Sequence, residues 1–362
     1  MLTNITRKHI SSGLLLSLLL LLLVGCGGNG DAETSTTPTA TVIPVNVFGG
    51  TNNHVHSLIS LPNHVLEFAT HYGLFRSKDG GQSWQKVAAG LNQPMAGLMT
   101  YSLNKSPLDS QRLYVLSQPI SHAPAGTPGL YTSADEGRTW QMSITTSSLS
   151  NIPFYLEAPG NQQASQVYIY LNDKGAYGLM MSMDAGKHFT TTGKLPFGSI
   201  LGVLPLPGEP GQILIYGDNG IARSSDGGKT WRLLPDTANE ATYEITTAGP
   251  HLPIYATGDI GISRSLDGGK TFQSTGTQIS YGALTPSPTK PNTLYGKTGR
   301  QIARSTDGGK TWTPLPAIKG NLGNLSVDVD NPDQVYLSLS YPAAVYTCVA
   351  NSASWHSLTP KS

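Results

Sequence analysis

Cysteine, charge and long apolar runs are all scarce in this 362-residue chain. It has two cysteines, Cys26 and Cys348, which excludes the disulfide framework of a small secreted domain. Only 12% of residues are charged and the formal charge is +1, with no polybasic or polyacidic run. That excludes the clustered basic face of a nucleic-acid binder, so no nucleic-acid partner is expected. No pattern for a cofactor stands out, so none is expected. Long apolar runs are limited to one, near the N-terminus. What is plentiful is glycine, at 41, and proline, at 25, spread along the chain. Such a distribution means frequent turns and argues against long helices. Cys348 follows the apolar run Ala343-Ala344-Val345-Tyr346-Thr347 and reads as a small buried residue rather than a nucleophile.

The single apolar run has the grammar of an export signal. Arg7 and Lys8 give a positive start, Leu14 to Val24 is mostly leucine, and the run ends at Leu23-Val24-Gly25-Cys26. A short run with a small residue before the cleavage point reads as a signal peptide, against the alternative of an uncleaved anchor. "LVGC" resembles the bacterial lipoprotein box. The resemblance implies removal of residues 1–25, diacylation of the Cys26 sulfur and acylation of its new amine. Two or three acyl chains suffice for stable anchoring, since each buried methylene contributes roughly 0.8 kcal/mol. Removing Arg7 and Lys8 from the 23 basic residues leaves 21 against 22 acidic ones, a charge of about −1. Residues 26–50 carry the lipidated cysteine and a Thr/Pro/Gly-rich stretch that cannot form a core and reads as a flexible spacer. Within it, Val42 to Phe48 is apolar enough to pair with the edge of the following domain. The expected protein is exported, monomeric and lipid-anchored to the outer face of a bacterial membrane, with residues 51–362 as its folded part.

Those residues are repetitive. The octet Ser224 to Trp231, "SSDGGKTW", recurs at Ser77, Ser133, Ser182, Ser265 and Ser305 as Ser-x-Asp-x-Gly-x-x-aromatic. Its aspartates, Asp79, Asp135, Asp184, Asp226, Asp267 and Asp307, are separated by 56, 49, 42, 41 and 40 residues. The closing aromatics include Trp84, Trp140, Trp231 and Trp312. A seventh, degraded copy runs from Tyr346 to Trp355, with Cys348 for Ser, Ala350 for Asp and Trp355 kept. Each octet follows three short β-branched or aromatic runs and opens a fourth, bounded by Gly, Pro and Asp, which reads as four strands joined by hairpins. Seven such units at a period of 40 to 50 residues predict an all-β, seven-bladed β-propeller of four-stranded antiparallel blades.

The octets resemble Asp-box, or bacterial neuraminidase, repeats, known from sialidases, sortilin-type receptors, xyloglucan-cleaving enzymes and photosystem II assembly factors. The resemblance covers roughly Asn53 to Leu358 and implies that each box is the turn between the third and fourth strands of a blade. The residues agree. Gly takes positive φ without steric cost, Asp and Ser tie the turn locally, and the aromatic is expected to pin the hairpin against its own blade. Six similar turns radiating from an axis do not converge on one substrate, so the box aspartates read as structural.

The chemistry has to lie elsewhere. Sialidases of this family clamp their substrate with an arginine triad. Of eight arginines after Cys26, only Arg112 and Arg300 are free of the box frame, and two cannot make a triad. A different glycosidase needs two carboxylates flanking a bond. The non-box carboxylates on predicted strands are Glu67, Glu157, Glu244, Asp328 and Asp330, of which Glu157 and Glu244 fall on first strands, the ones that line a propeller channel. The plainer reading makes them solvated rim or channel residues, and xyloglucan-type enzymes usually carry two propellers where this chain has room for one. His54, His56 and His71 form a third constellation, two imidazoles at i and i+2 with one from the next strand, a pattern that suits Zn²⁺ or Cu²⁺. Its plainer reading is polar residues hydrogen-bonded near the channel mouth. The expectation is a non-catalytic platform or assembly factor for a protein or glycan ligand, with a glycoside hydrolase using channel carboxylates as the alternative.

Overall fold

The computed structural model describes residues 48, 53–88, 93–120, 126–149, 156–277, 279, 281–350 and 352–359. The lipoprotein segment, Cys26 and all of the linker but Phe48 lie outside the described residues. Twenty-eight strands form seven separate four-stranded antiparallel sheets, each from one contiguous stretch of chain and each in simple sequential order. The blades span 55–87, 98–145, 156–191, 202–233, 242–274, 283–314 and 322–357. Only three short 3₁₀ turns interrupt the strands, and no helix among the described residues is long and apolar enough to cross a membrane. The first strands of successive blades touch in a closed cycle, blade 7 returning to blade 1, so they form the wall of a central channel. Fourth strands are exposed and in five blades only two residues long, which leaves little free edge for another chain to pair with.

Burial on both faces explains the near-continuous apolar second and third strands. In blade 2, Leu113 and Val115 face blade 1 while Tyr114 and Leu116 face blade 3. Seven apolar clusters result, one in each interface between neighbouring blades. The box aromatics belong to these clusters, so each packs with its own blade and also reaches the preceding one. Trp140 of blade 2 is buried among Leu61, Val65 and Leu74 of blade 1, and Trp231, Phe272 and Trp312 likewise lie against the preceding blade. The last cluster joins blade 7 to blade 1 and includes Trp84 and Phe48. Phe48, the one described residue of the Val42–Phe48 run, stacks its ring about Phe68, Phe75 and Trp84 at centroid distances of 5.0 to 5.2 Å.

The intact boxes share one set of bonds, except that in box three the His188 imidazole replaces the hydroxyl that meets the carboxylate. In blade 4, Ser224 Oγ donates to Asp226 Oδ1 at 2.8 Å and accepts the Gly228 N–H at 2.8 Å. Asp226 in turn accepts the Thr230 N–H at 2.9 Å and its hydroxyl at 2.6 Å. The two residues after Asp have positive φ in all six boxes, including Glu136 and Ala185 where glycine is absent. Partial desolvation pulls the Asp226 carboxyl up, but the bonds from Thr230, Ser224 and the Lys229 N–H outweigh it and hold the group at about 2. Asp267 and Asp307 sit at about 2 for the same reasons, and Asp79, Asp135 and Asp184 are also lowered. In blade 7, where Ala350 replaces Asp, the hairpin still pairs Tyr346 with Ser357, and the Trp355 indole donates to Pro316 O at 2.8 Å.

Polar side chains bridge the interfaces. A tyrosine at one position of the second strand is buried in five blades, as Tyr114, Tyr168, Tyr255, Tyr295 and Tyr336. Tyr114, Tyr255 and Tyr295 reach backbone carbonyls of the next blade at 3.0, 3.1 and 3.3 Å. Blade 1 has Glu67 at that position, fully buried, with its carboxylate 2.9 Å from Arg76 Nε. Arg76 also contacts the Glu136 carboxylate of box two at 3.0 Å and its carbonyl at 3.2 Å. Burial pushes the Glu67 carboxyl well up and Arg76 pulls it back. The arginines before boxes thus face the neighbouring blade: Arg223 reaches Gly268 O at 3.4 Å and Arg304 reaches Asp333 at 2.7 Å.

Among the described residues, blades 7 and 1 meet through loops and side chains, neither lending a strand to the other. Val55 N–H donates to Ser340 O and Ala343 N–H to Asn53 O, each at 3.0 Å. The Trp84 indole donates to Leu358 O at 2.9 Å. Buried Asp328 accepts the Tyr336 hydroxyl at 2.7 Å and contacts His64 Nδ1 at 3.0 Å. Asp330 accepts the His64 N–H at 2.9 Å.

Two outcomes follow from these contacts. Arg76→Ala removes the cation beside buried Glu67 and leaves Glu136 with the exposed Arg138 at 3.4 Å, and urea unfolding at pH 7 should register a loss of about 3–5 kcal/mol; a change below 1 kcal/mol would mean that the buried cluster contributes nothing. The box carboxylates are depressed in the fold, so their contribution is complete above the unfolded value of 3.8 and lost as pH falls toward about 2. Asp226→Asn should therefore lower stability at pH 7 and make the loss between pH 4 and 2 shallower in an acid unfolding series.

Candidate functional site in the central channel

Residues on an innermost strand alternate between the blade interfaces and the channel, so every second position is available for function. Four innermost strands break that alternation with a β-bulge: between Val55 and Ser57, Thr100 and Leu103, Thr242 and Glu244, and Leu322 and Leu325. A bulge inserts an unpaired residue and re-aims its neighbours. Two of the bulges flank sequence-derived candidates, at His56 and at Glu244.

Glu157 and Glu244 line one cavity of about 490 Å³, together with Ser102, Asn104, Tyr216 and Asn324. Glu157 lies on the innermost strand Leu156–Pro159 and is 7% exposed. Its Oε2 accepts Ser102 Oγ–H at 2.8 Å and Asn104 Nδ2–H at 3.0 Å, while Oε1 is buried without a hydrogen-bond partner. Burial pushes the carboxyl up to about 7 against the pull of those two donors. Glu244, on Thr242–Thr247, accepts the Leu284 N–H of the next innermost strand at 2.7 Å. Desolvation outweighs that bond and the charge of Lys297, again leaving the carboxyl at about 7. The two carboxyls are therefore tuned alike, in one cavity, from blades 3 and 5.

Two lysines complete the picture. Lys105 ends the innermost strand Leu98–Lys105 and donates to Ser60 O at 3.2 Å. Lys297 reaches from blade 6 to Gly323 O of blade 7 at 2.6 Å. Desolvation lowers both amines, offset at Lys297 by Glu244.

The other carboxylates expected on strands have gone elsewhere: Glu67 lies on a second strand between blades 1 and 2, while Asp328 and Asp330 fall past the end of the strand Leu322–Val327, in the turn at the seam of blades 7 and 1. The box aspartates are spent on their own turns. His54, His56 and His71 do come together, at the end of blade 1 where the first strand begins and the turn after the second strand lies, each half-buried. The sequence reading missed Ser102, Asn104, Asn324 and Lys297, polar residues with no motif to mark them. A cleft of about 790 Å³ on the outer rim, lined by Arg223, Arg232, Lys270 and Phe272, holds none of the candidate residues.

Comparison with known proteins agrees with this architecture. Residues 303–314 match the BNR/Asp-box repeat. The chain is a propeller of Asp-box repeats. No curated protein sequence matches it. Among solved structures it is similar to the GH74 enzyme of Niastella koreensis, with a TM-score of 0.66, 18% identity, and coverage of 84% of this chain and 53% of that one. For the GH74 xyloglucanase of Xanthomonas campestris the values are 0.64, 17%, 87% and 55%. The chain thus spans about half the length of these two enzymes. A structure of YCF48 bound to D1 peptide gives 0.57 and 17%, with 83% of this Asp-box propeller and 94% of that chain covered. At these identities the likeness concerns the fold.

The Glu157 carboxyl holds its proton to higher pH in the fold than at the unfolded value of 4.5, so its burial subtracts stability as pH rises from about 4.5 to 7 and stays level above. Glu157→Gln should flatten stability across that window and raise it at pH 8, measured by urea midpoints at half-unit steps; an unchanged slope would show that Glu157 ionises normally.

Proposed function

We propose that the protein is an exported lipoprotein, anchored through Cys26 to the outer face of a bacterial membrane, whose propeller is a non-catalytic platform for a protein or glycan ligand. The observation that carries the non-catalytic reading is that both channel carboxylates are tied into the wall. Glycoside hydrolysis needs two carboxyls free to meet a bond from either side. Here Glu157 Oε2 accepts from Ser102 and Asn104, and Glu244 accepts the Leu284 N–H, so each is committed to donors of neighbouring innermost strands. Support for a protein ligand comes from coverage: the peptide-bound YCF48 structure is matched over nearly its whole length, the GH74 enzymes over half of theirs. The anchoring reading rests on the "LVGC" segment and the polar spacer after it.

A glycoside hydrolase is the second reading, favoured by the presence of two glutamates in one cavity. Expression in a bacterial host with labelled palmitate should label the wild type and leave Cys26→Ala unlabelled; label retained in that variant would refute the anchor. Against a panel of chromogenic glycosides the wild type should match the Glu157→Gln, Glu244→Gln double variant. Turnover that disappears in the double variant would establish the hydrolase instead.

A further inference from the structure

The bulge in the first strand of blade 1 has a chemical consequence. Val55 pairs with Thr70 and Ser57 with Ala69, so His56 is the extra residue. One position earlier, His71 N–H donates to His54 O at 2.9 Å, which holds these two histidines side by side across the strand pair. The His54 ring lies 4.6 Å, centroid to centroid, from both the His56 and the His71 rings. Tyr101 of blade 2 stands edge-on to His56 at 4.8 Å and Tyr72 to His71 at 4.9 Å, limiting how far the rings can swing. One ring nitrogen from each histidine falls in a set whose members lie within 4.8 Å of one another. His56 Nε2 and His71 Nδ1 are buried and have no hydrogen-bond partner.

Three imidazoles gathered this way, with two unpartnered nitrogens, are costly unless something accepts their lone pairs. We propose that His54, His56 and His71 together bind one divalent transition-metal ion, Zn²⁺ or Cu²⁺, through three imidazole nitrogens, with at least one coordination position left for water or an exogenous ligand. The donor set fits: imidazole suits both ions, and three protein nitrogens with an open position is a known zinc arrangement. Tetrahedral zinc at 2.0–2.1 Å from each nitrogen sets them about 3.3 Å apart, inside the 4.8 Å within which the three nitrogens lie. Half-exposed His54 and His71 leave a path for the ion. The site is independent of the platform reading and stands or falls separately from it.

Calorimetric titration of the full-length chain in detergent with zinc sulfate, and separately with copper sulfate, tests the proposal. The wild type should take up one equivalent at micromolar affinity or tighter, and its melting temperature should rise with added metal. His56→Gln and His71→Gln should each weaken binding at least tenfold and lose the melting shift. His64→Gln, which alters the separate cluster with Asp328 and Asp330, should retain both. With Cu²⁺, electron paramagnetic resonance should show nitrogen hyperfine structure in the wild type and a reduced nitrogen count in His71→Gln. Absence of wild-type binding at micromolar metal would overturn the site, as would binding that survives in both triad variants or disappears in His64→Gln.

Discussion

Everything in this fold depends on the apolar cleft between one blade and the next. A four-stranded sheet with side chains buried on both faces cannot stand alone in water, because each face exposes a full row of leucines, valines and tyrosines. Stacking seven sheets around an axis satisfies both faces of every sheet at once, and the ring closes only because the last sheet finds the free face of the first. The box aromatic is part of that cleft. Its hairpin leans on the preceding blade, so each turn helps fix the angle between two blades as well as the ends of its own strands. Burial of this kind contributes roughly 25 cal/mol per Å² of apolar surface. The box carboxylate sits at the wet margin of that contact and organises the turn that delivers the aromatic. The last blade, which lacks the carboxylate and keeps the indole at Trp355, separates the two roles.

The architecture was legible because its signals are local. Ser, Asp and Gly act within eight residues, and a tight turn made six times cannot be mistaken for a single catalytic site. What was not legible is that an aromatic also reaches the preceding blade, because the sequence of a repeat is silent about its neighbour. Glu67 is a middle case. Alignment of the second strands places it where Tyr114, Tyr168 and Tyr255 stand, so its burial in an interface was readable from the register of the repeats. Its pairing with Arg76 lies within one hairpin, where the two stand opposite each other; the link from Arg76 to Glu136 was not legible, since it joins residues sixty positions apart.

The channel shows the same division. Assigning Glu157 and Glu244 to first strands located both in one cavity, as period and strand order required. Their common environment depended on Ser102, Asn104 and the backbone amide of Leu284, groups no pattern singles out. The histidines were visible as a spacing, but the i, i+2 argument supposed a regular strand. The bulge at His56 and the bond between His54 and His71 are the means by which they actually meet.

Because each sheet is built from one unbroken stretch of chain, no strand among the described residues is shared across the junction where the ring begins and ends. Gene duplication or loss of a single forty-residue unit would therefore add or remove a complete sheet without cutting any hydrogen-bonded ladder. In such a lineage the number of units is free to change by recombination, limited by how far the wedge angle between neighbours can adjust. The longer spacing of the first three boxes shows that a unit can carry extra loop without disturbing its four strands.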